Sequence, residues 1–492
     1  MLVALLTLLT AAAPAPASGA GSAPAASPAA TSPAATSPTA SPTASPTATS
    51  PTLTPITPAV PASAAVAGTV IDAVLPCGLR VLTARDLSLP VAAVVLAVEV
   101  GSEDDPPELP GLVHALAYQL EQGNRELRPA ETIATAQDAG GTYALATGLA
   151  QVRYESLIPA SRLDPMLWVE SQRLRNPTTA PPRWTQTLGW AASDERSGSR
   201  LRPEALAFVH GAAGLAHDGR AAGKPLAALT EAALATQLAT KFNYPAATLV
   251  VVGPEPPEQL LARVSPLFAD LPQAPRRAPV RGVGPRSSAV DLSTKPGAPA
   301  PSGMSPGTDA PATSAPLARQ RGQTFVWPVP PSAAASAWAT ALCRAINRQK
   351  KPAEPEELRK GRLACEHEPD ARRGVLILRA GGVEDHQALI RSRLARLAPG
   401  GPDAALLQAQ AAVVAQALRL AIRTPAGLAR QLALSAVEVP PVGGGPSFQQ
   451  QHRIDELTGL AALADPAGLT LVAPGLLRVE DAVVLTFPEG QP

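Results

Sequence analysis

Net charge is almost absent from this chain. Its 492 residues carry 41 Lys and Arg against 40 Asp and Glu, a formal net charge of +1, with no long basic block. That balance argues against nucleic acid or an anionic membrane surface as the main partner. Cysteine is scarce as well, with three in all. Cys343 and Cys365 are available to bridge in an oxidising compartment. Cys77 lies in a turn between two strand patterns and would be left over, a structural rather than a reactive thiol. No Ser or Cys nucleophile motif is present, and Gly-rich pieces such as RGVGP and PVGGGP sit in linker or turn contexts, not in a phosphate loop. Beyond the first residues, no uninterrupted apolar run reaches the roughly 20 residues that span a bilayer.

Proline, by contrast, is abundant, 56 in all, so part of the chain must be extended linker. The opening MLVALLTLLTAAA is apolar but short, and Ala15-Pro16-Ala17 after it suits signal-peptidase cleavage, so residues 1–17 are expected to be an export signal. Its n-region has no Lys or Arg, which leaves an uncleaved anchor as the alternative. Residues 18–65 are nearly all Ala, Pro, Ser and Thr. They cannot bury a core and read as an extended tether that holds the folded part at the cell envelope, or as an inert leader.

Strand patterns begin at Thr69–Leu75, Leu79–Asp86 and Val91–Val100, each rich in β-branched residues and bounded by turns. Helical periodicity follows at 109–122, 129–138, 161–174, 181–196, 203–213 and 227–241, then a strand at Ala247–Gly253 and a helix at Pro257–Phe268. Residues 281–319 read as a second linker. Beyond it come a strand near TFVWPV, a helix at Ala333–Asn347, a strand at GVLILRAG, helices at 384–397, 403–422 and near 452–464, and a last strand at AVVLTF. The order echoes the first half, as a diverged internal duplication would. The pattern alone gives two mixed α and β domains, 66–280 and 320–490, and the resemblance that follows implies an α+β fold in which each is a mostly antiparallel sheet with helices mainly on one face, the two facing each other across a cavity.

Several stretches together resemble one family. LPCGLRVLTARDLSLPVAAVVLAVEVGSEDDPPELPGLVHAL is similar to the opening strands and zinc helix of the pitrilysin, insulinase and mitochondrial processing peptidase group of zinc proteases. LWVESQRLRNP and SDERSGSRLRPEAL resemble the helices that follow there, and LTEAALATQLATKFNYPAATLVVVGPEPPEQLLARVSPLFADLP resembles the end of the first repeat. GVLILRAGGVEDHQALIRSRLARLAPGGPDAALLQAQ matches the second repeat more loosely.

The resemblance implies a zinc site of the inverted H-x-x-E-H type, in which two histidines four apart hold the metal and the Glu takes a proton from bound water. Here the motif positions read His114, Ala115, Leu116, Ala117, Tyr118. The first histidine stands, Ala117 replaces the catalytic Glu and Tyr118 replaces the second histidine. At the family's usual spacing the third ligand falls on Glu195, while Leu188 stands where an acidic residue often precedes it. Ala117 has no proton acceptor, and a neutral phenol is a poor zinc ligand at neutral pH. The site is therefore expected to be dead for this mechanism, with His114 and Glu195 as remnant ligands and no cofactor bound; zinc enters only if the site has been rebuilt. Read alone, His114 is a partly buried helix histidine, and Glu195, flanked by Asp194 and Arg196, is equally a solvated or salt-bridged residue.

Other candidates are His210 and His217, read as structural or surface residues, and Glu366, His367 and Glu368, read as a charged turn before DARRG. All four tyrosines (Tyr118, Tyr143, Tyr154 and Tyr244) precede the second linker, so the Arg and Tyr pair with which some relatives grip substrate in the second repeat is missing. The resemblance implies a non-catalytic subunit that pairs with an active zinc-bearing homologue around a peptide or unfolded polypeptide. The alternatives are a zinc peptidase with a rearranged site and a stand-alone envelope binding protein.

Overall fold

The computed structural model describes residues 68–193, 202–211, 224–276, 289–291, 322–330, 332–349, 356–369, 374–436, 449–458, 460 and 477–486. All belong to one compact unit, Ser63–Pro492. The expected export signal, the 18–65 tether, Glu195 and His217 lie outside the described residues. In chain order the elements are β1 (Thr69–Val74), β2 (Arg80–Arg85), β3 (Val91–Val98), α1 (Leu112–Gln119), α2 (Glu131–Asp138), β4 (Thr142–Thr147), β5 (Val152–Pro159), α3 (Leu163–Arg173), α4 (Pro181–Ser193), α5 (Pro203–His210), α6 (Lys224–Ala227) and α7 (Glu231–Lys241). They continue with β6 (Ala247–Gly253), α8 (Pro257–Val264), β7 (Ala289–Asp291), β8 (Gln323–Val329), α9 (Ala333–Ile346), β9 (Arg362–Glu368), β10 (Gly374–Gly381), α10 (His386–Leu397), α11 (Ala404–Ala421), α12 (Pro425–Ser435), β11 (Gln449–Arg453), α13 (Ile454–Leu457) and β12 (Val483–Thr486).

Two sheets result. One has the order β11-β1-β2-β6-β3-β5-β4 and the other β7-β12-β8-β10-β9. Both are mostly antiparallel; β2 with β6 and β12 with β7 are the parallel pairs. The central strands β1, β2, β3 and β6 are buried on both faces, which is why they read as continuous β-branched runs. On one face of the first sheet, Val81, Val94, Leu96 and Leu249 pack with Leu112 and Leu116 of α1, Met166 of α3 and Leu260 of α8. On the second sheet, Phe325, Trp327, Leu376 and Leu378 pack with α9, α10 and α11. A disulfide between Cys343 and Cys365 ties α9 to β9.

The opposite faces are covered by exchange. Leu428, Ala429, Leu432 and Ala433 of α12 lie on Leu82, Val95 and Val250 of the first sheet. In return, Leu206, Phe208 and Val209 of α5 lie on Val326, Ile377 and Leu485 of the second. α5 is PEALAFVH, exposed at Pro203 and buried from Glu204 to His210, as a helix that is apolar nearly all round must be. Proline at its first position starts it without losing a hydrogen bond. The edge strands cross over too: β11 pairs with β1, and Ala289–Asp291, within the stretch read as a linker, forms β7 against β12.

The sequence pattern missed β4, β5, α12 and β11. Of the helix expected near 452–464, the described residues form the end of β11, the short α13 and a helical Leu460, and residues 459 and 461–464 lie outside the described residues. Glu366, His367 and Glu368 lie on β9, not in a turn, since Arg202 and Arg379 answer the two carboxylates.

A buried ion pair fastens the crossover. Arg80 and Asp72, each 1% exposed, meet through Nε–Oδ1 at 2.9 Å and Nη2–Oδ2 at 2.6 Å. Arg80 also donates to the carbonyl of Ala436 just past α12, and His452 of β11 places Nε2 3.4 Å from Asp72 Oδ2. Removing one partner strands a buried charge. Asp72→Ala or Arg80→Met alone is expected to cost about 3–5 kcal/mol in denaturant unfolding, whereas Asp72→Leu with Arg80→Met recovers most of the loss.

Candidate functional site

The helix that carries His114 begins at Gly111, whose φ of 78° is the left-handed region glycine favours. The buried carboxylate of Asp105 accepts from Gly111 N at 2.7 Å and from Val113 N at 2.8 Å, satisfying two amides that the first turn leaves open. Leu112, Val113, Ala115 and Leu116 then anchor α1 in the core.

His114 and Tyr118, four residues apart, share one helix face. Their rings meet edge to face with centroids 5.1 Å apart. His114 is 6% exposed, with Nδ1 3.1 Å from Thr147 Oγ1 at the end of β4. Ala117 is wholly buried, and its carbonyl accepts from Tyr154 OH at 3.1 Å. The structure thus brings together three of the positions singled out in the sequence, His114, Ala117 and Tyr118. Among the described residues, no group of three or more His, Cys, Asp or Glu is placed to hold a metal ion. Among the described residues, one imidazole beside a phenol and a methyl falls short of the three protein ligands and base of a catalytic zinc centre.

The side chains that dominate this region are ones the sequence reading passed over. Arg173 of α3 is buried between two carboxylates. Nη1 meets Glu121 Oε1, just past α1, at 2.5 Å, and Nε and Nη2 make a bidentate pair with Glu170 at 2.7 and 2.9 Å. Its guanidinium lies 4.1 Å from the centroid of the Tyr154 ring, and Tyr143 of β4 donates to Glu121. Burial works against the charge on Arg173, yet Glu121 and Glu170 outweigh it and push its pKa up. Burial, reinforced by the same carboxylates, also drives the Tyr143 and Tyr154 phenols well above their usual range, so both stay neutral donors. A signal existed in ESQR, where Glu170 and Arg173 are three apart on a helix; nothing local pointed to Glu121.

The remaining candidates are structural. His210 Nε2 lies 2.8 Å from the Ser102 carbonyl. Glu366 pairs with Arg202 at 2.6 Å and with Arg379 at 2.7 Å, and Glu368 pairs with Arg202 at 3.2 Å, tying the start of α5 to the second sheet. Alternation along β9 sends His367 to the other face, where Nδ1 meets Thr340 Oγ1 at 2.9 Å and burial lowers its pKa to about 4. Cys77 is a free, buried thiol whose pKa burial raises.

Replacing Arg173 by Met leaves Glu121 and Glu170 buried against each other. A loss of about 3–5 kcal/mol in unfolding free energy is expected. Adding Glu121→Gln and Glu170→Gln should return much of it.

No model of a known protein family matches the sequence, and no curated protein matches it. Solved structures do. A protease from Helicobacter pylori superposes with a TM-score of 0.56 at 15% identity, over 84% of this chain and 98% of that one. An inactive peptidase M16 domain from Pseudomonas fluorescens gives 0.57 at 14%, over 86% and 100%. Pitrilysin gives 0.54 at 13%, over 87% of this chain but only 45% of its own. The chain therefore spans about half the length of pitrilysin and nearly all of the two shorter chains. The protein has the α+β fold of the pitrilysin-like M16 peptidases.

Proposed function

We propose that this chain is a non-catalytic member of the pitrilysin, insulinase and processing peptidase family that helps form a peptide-binding chamber with an active, zinc-bearing homologue. The observation that carries the proposal is α1 itself: the helix is anchored in the core, and Ala117 and Tyr118 stand at the positions that the sequence resemblance gives to the base and the second ligand. What remains there is a packed, hydrogen-bonded core with an arginine as its cation.

The half-length match to pitrilysin supports a partner of the same fold, since the longer chain carries in one polypeptide what this one would obtain from a second. β4 supports peptide binding. Among the described residues it is an edge strand of the first sheet, and Thr147 at its end touches His114. An edge strand offers amides and carbonyls with which an extended peptide can pair whatever its sequence. The chain's own contribution would be to bind and align a substrate, with the zinc chemistry supplied by the homologue.

The same proposal takes residues 1–17 as an export signal, 18–65 as a tether, and 66–280 and 320–490 as the two repeats, separated by a linker at 281–319. The Cys343–Cys365 disulfide favours an oxidising compartment, and a periplasmic protease from Escherichia coli shares the fold.

The test is a peptide-cleavage assay with the purified chain alone and mixed with a zinc-bearing homologue. The chain alone should show no chelator-sensitive cleavage, and the mixture should exceed the homologue alone on the order of tenfold, about 1.4 kcal/mol of barrier. Chelator-sensitive cleavage by the chain alone overturns the proposal.

A further inference from the structure

Where α9, α10 and α11 meet in the second half, they leave a cavity of about 180 Å³. Its walls include Trp338 and Leu342 of α9, Leu394 and Leu397 of α10, Leu407 of α11, and Leu477. Every lining side chain is Leu, Ala or Trp, so the single polar side-chain atom they carry is Nε1 of Trp338. Trp338 is 4% exposed, and its indole N–H has no acceptor among the described residues. The other two buried indoles are satisfied: Trp184 donates to the Leu226 carbonyl and Trp327 to that of Arg478, both at 2.8 Å. An unmet buried donor costs about 1–3 kcal/mol. A phenylalanine would fill much the same space without that cost.

A water molecule is a poor occupant, because a buried water requires two to four polar partners and these side chains provide one. A carboxylate or an amine is poorer still, since no lining side chain carries a charge to offset its desolvation. What matches is a molecule that is hydrocarbon over most of its surface and carries one hydrogen-bond acceptor. The volume suits a single ring, for an apolar cavity of about 150 Å³ holds benzene.

We propose that this cavity binds a small neutral ligand, a single ring or short branched chain bearing one carbonyl-type oxygen, with the Trp338 N–H as its polar anchor. The site lies in the second half, among helices that carry none of the residues placed around His114, and it does not rest on the function proposed above.

The probes are acetophenone and α-methylstyrene, which share a shape but differ in having C=O or C=CH₂. Each is titrated into the ¹⁵N-labelled full chain while the indole N–H resonances of its five tryptophans are followed by NMR. The Trp338 signal is identified by its loss in Trp338→Phe. Acetophenone should shift that signal saturably and bind about fivefold more tightly than α-methylstyrene, the worth of one net hydrogen bond. Trp338→Phe should abolish the difference while keeping α-methylstyrene binding. Ala398→Leu, which fills the cavity from its wall, should remove both. Equal affinity of the native chain for the two probes, no saturable shift at Trp338, or binding unchanged by Ala398→Leu overturns the proposal. The native comparison and Ala398→Leu decide the matter even if Trp338→Phe fails to fold.

Discussion

A guanidinium with no contact to water has to be surrounded by groups that answer its charge, and Arg173 sets that requirement for the whole region around α1. Glu170 comes from its own helix, Glu121 from the turn after α1, Tyr154 from β5 and, through Glu121, Tyr143 from β4. Four elements are thereby fixed relative to one another. A buried ionic cluster of this kind adds little net stability against an apolar replacement, but it is intolerant of losing a single member. Its value here is positional. α1 is held against the sheet by an internal cation.

The same logic operates between the two halves of the chain at a larger scale. Neither sheet is complete without a helix and an edge strand from elsewhere in the chain: α12 and β11 of the second half for the first sheet, α5 of the first half and β7 of the stretch between the halves for the second. Polar contacts follow the exchange. Arg80 reaches the end of α12, Glu155 of β5 pairs with Arg430 of α12, and Arg379 of β10 pairs with Glu204 of α5. Most of these partners are distant in sequence, so the assembled unit depends on long-range closure. The one long helix among the described residues that is apolar enough to cross a membrane, α11, spends part of its surface in the second core against α9.

How much of this was legible in the sequence depended on whether the signal was local. β1, β2, β3 and β6 announce themselves because strands buried on both faces are continuous apolar runs. α1 and the shared face of His114 and Tyr118 were equally plain, since a spacing of three or four on a helix is a local property. β5 alternates buried and half-buried residues along VRYESLIP and could have been found by period-two counting, but its charges masked the alternation. β11, QQQHR, carries no apolar signal, and its place in the sheet comes entirely from pairing with β1. The acidic residues of β9 resembled a turn because Arg202, which pairs with both, lies far off in sequence, and Arg379 comes from the neighbouring strand β10. The Arg173 cluster was half visible in ESQR; its third member, Glu121, is 52 residues away.

The account turns on whether α1 still presents a metal site, and the most direct measurement is the zinc content of the purified chain. Elemental analysis after dialysis, with His114→Ala beside the native protein, counts metal per molecule. The account predicts far less than one zinc per chain and no difference between the two. One equivalent in the native chain that disappears with His114 would contradict it, and would mean that this histidine remains a ligand in a rebuilt centre.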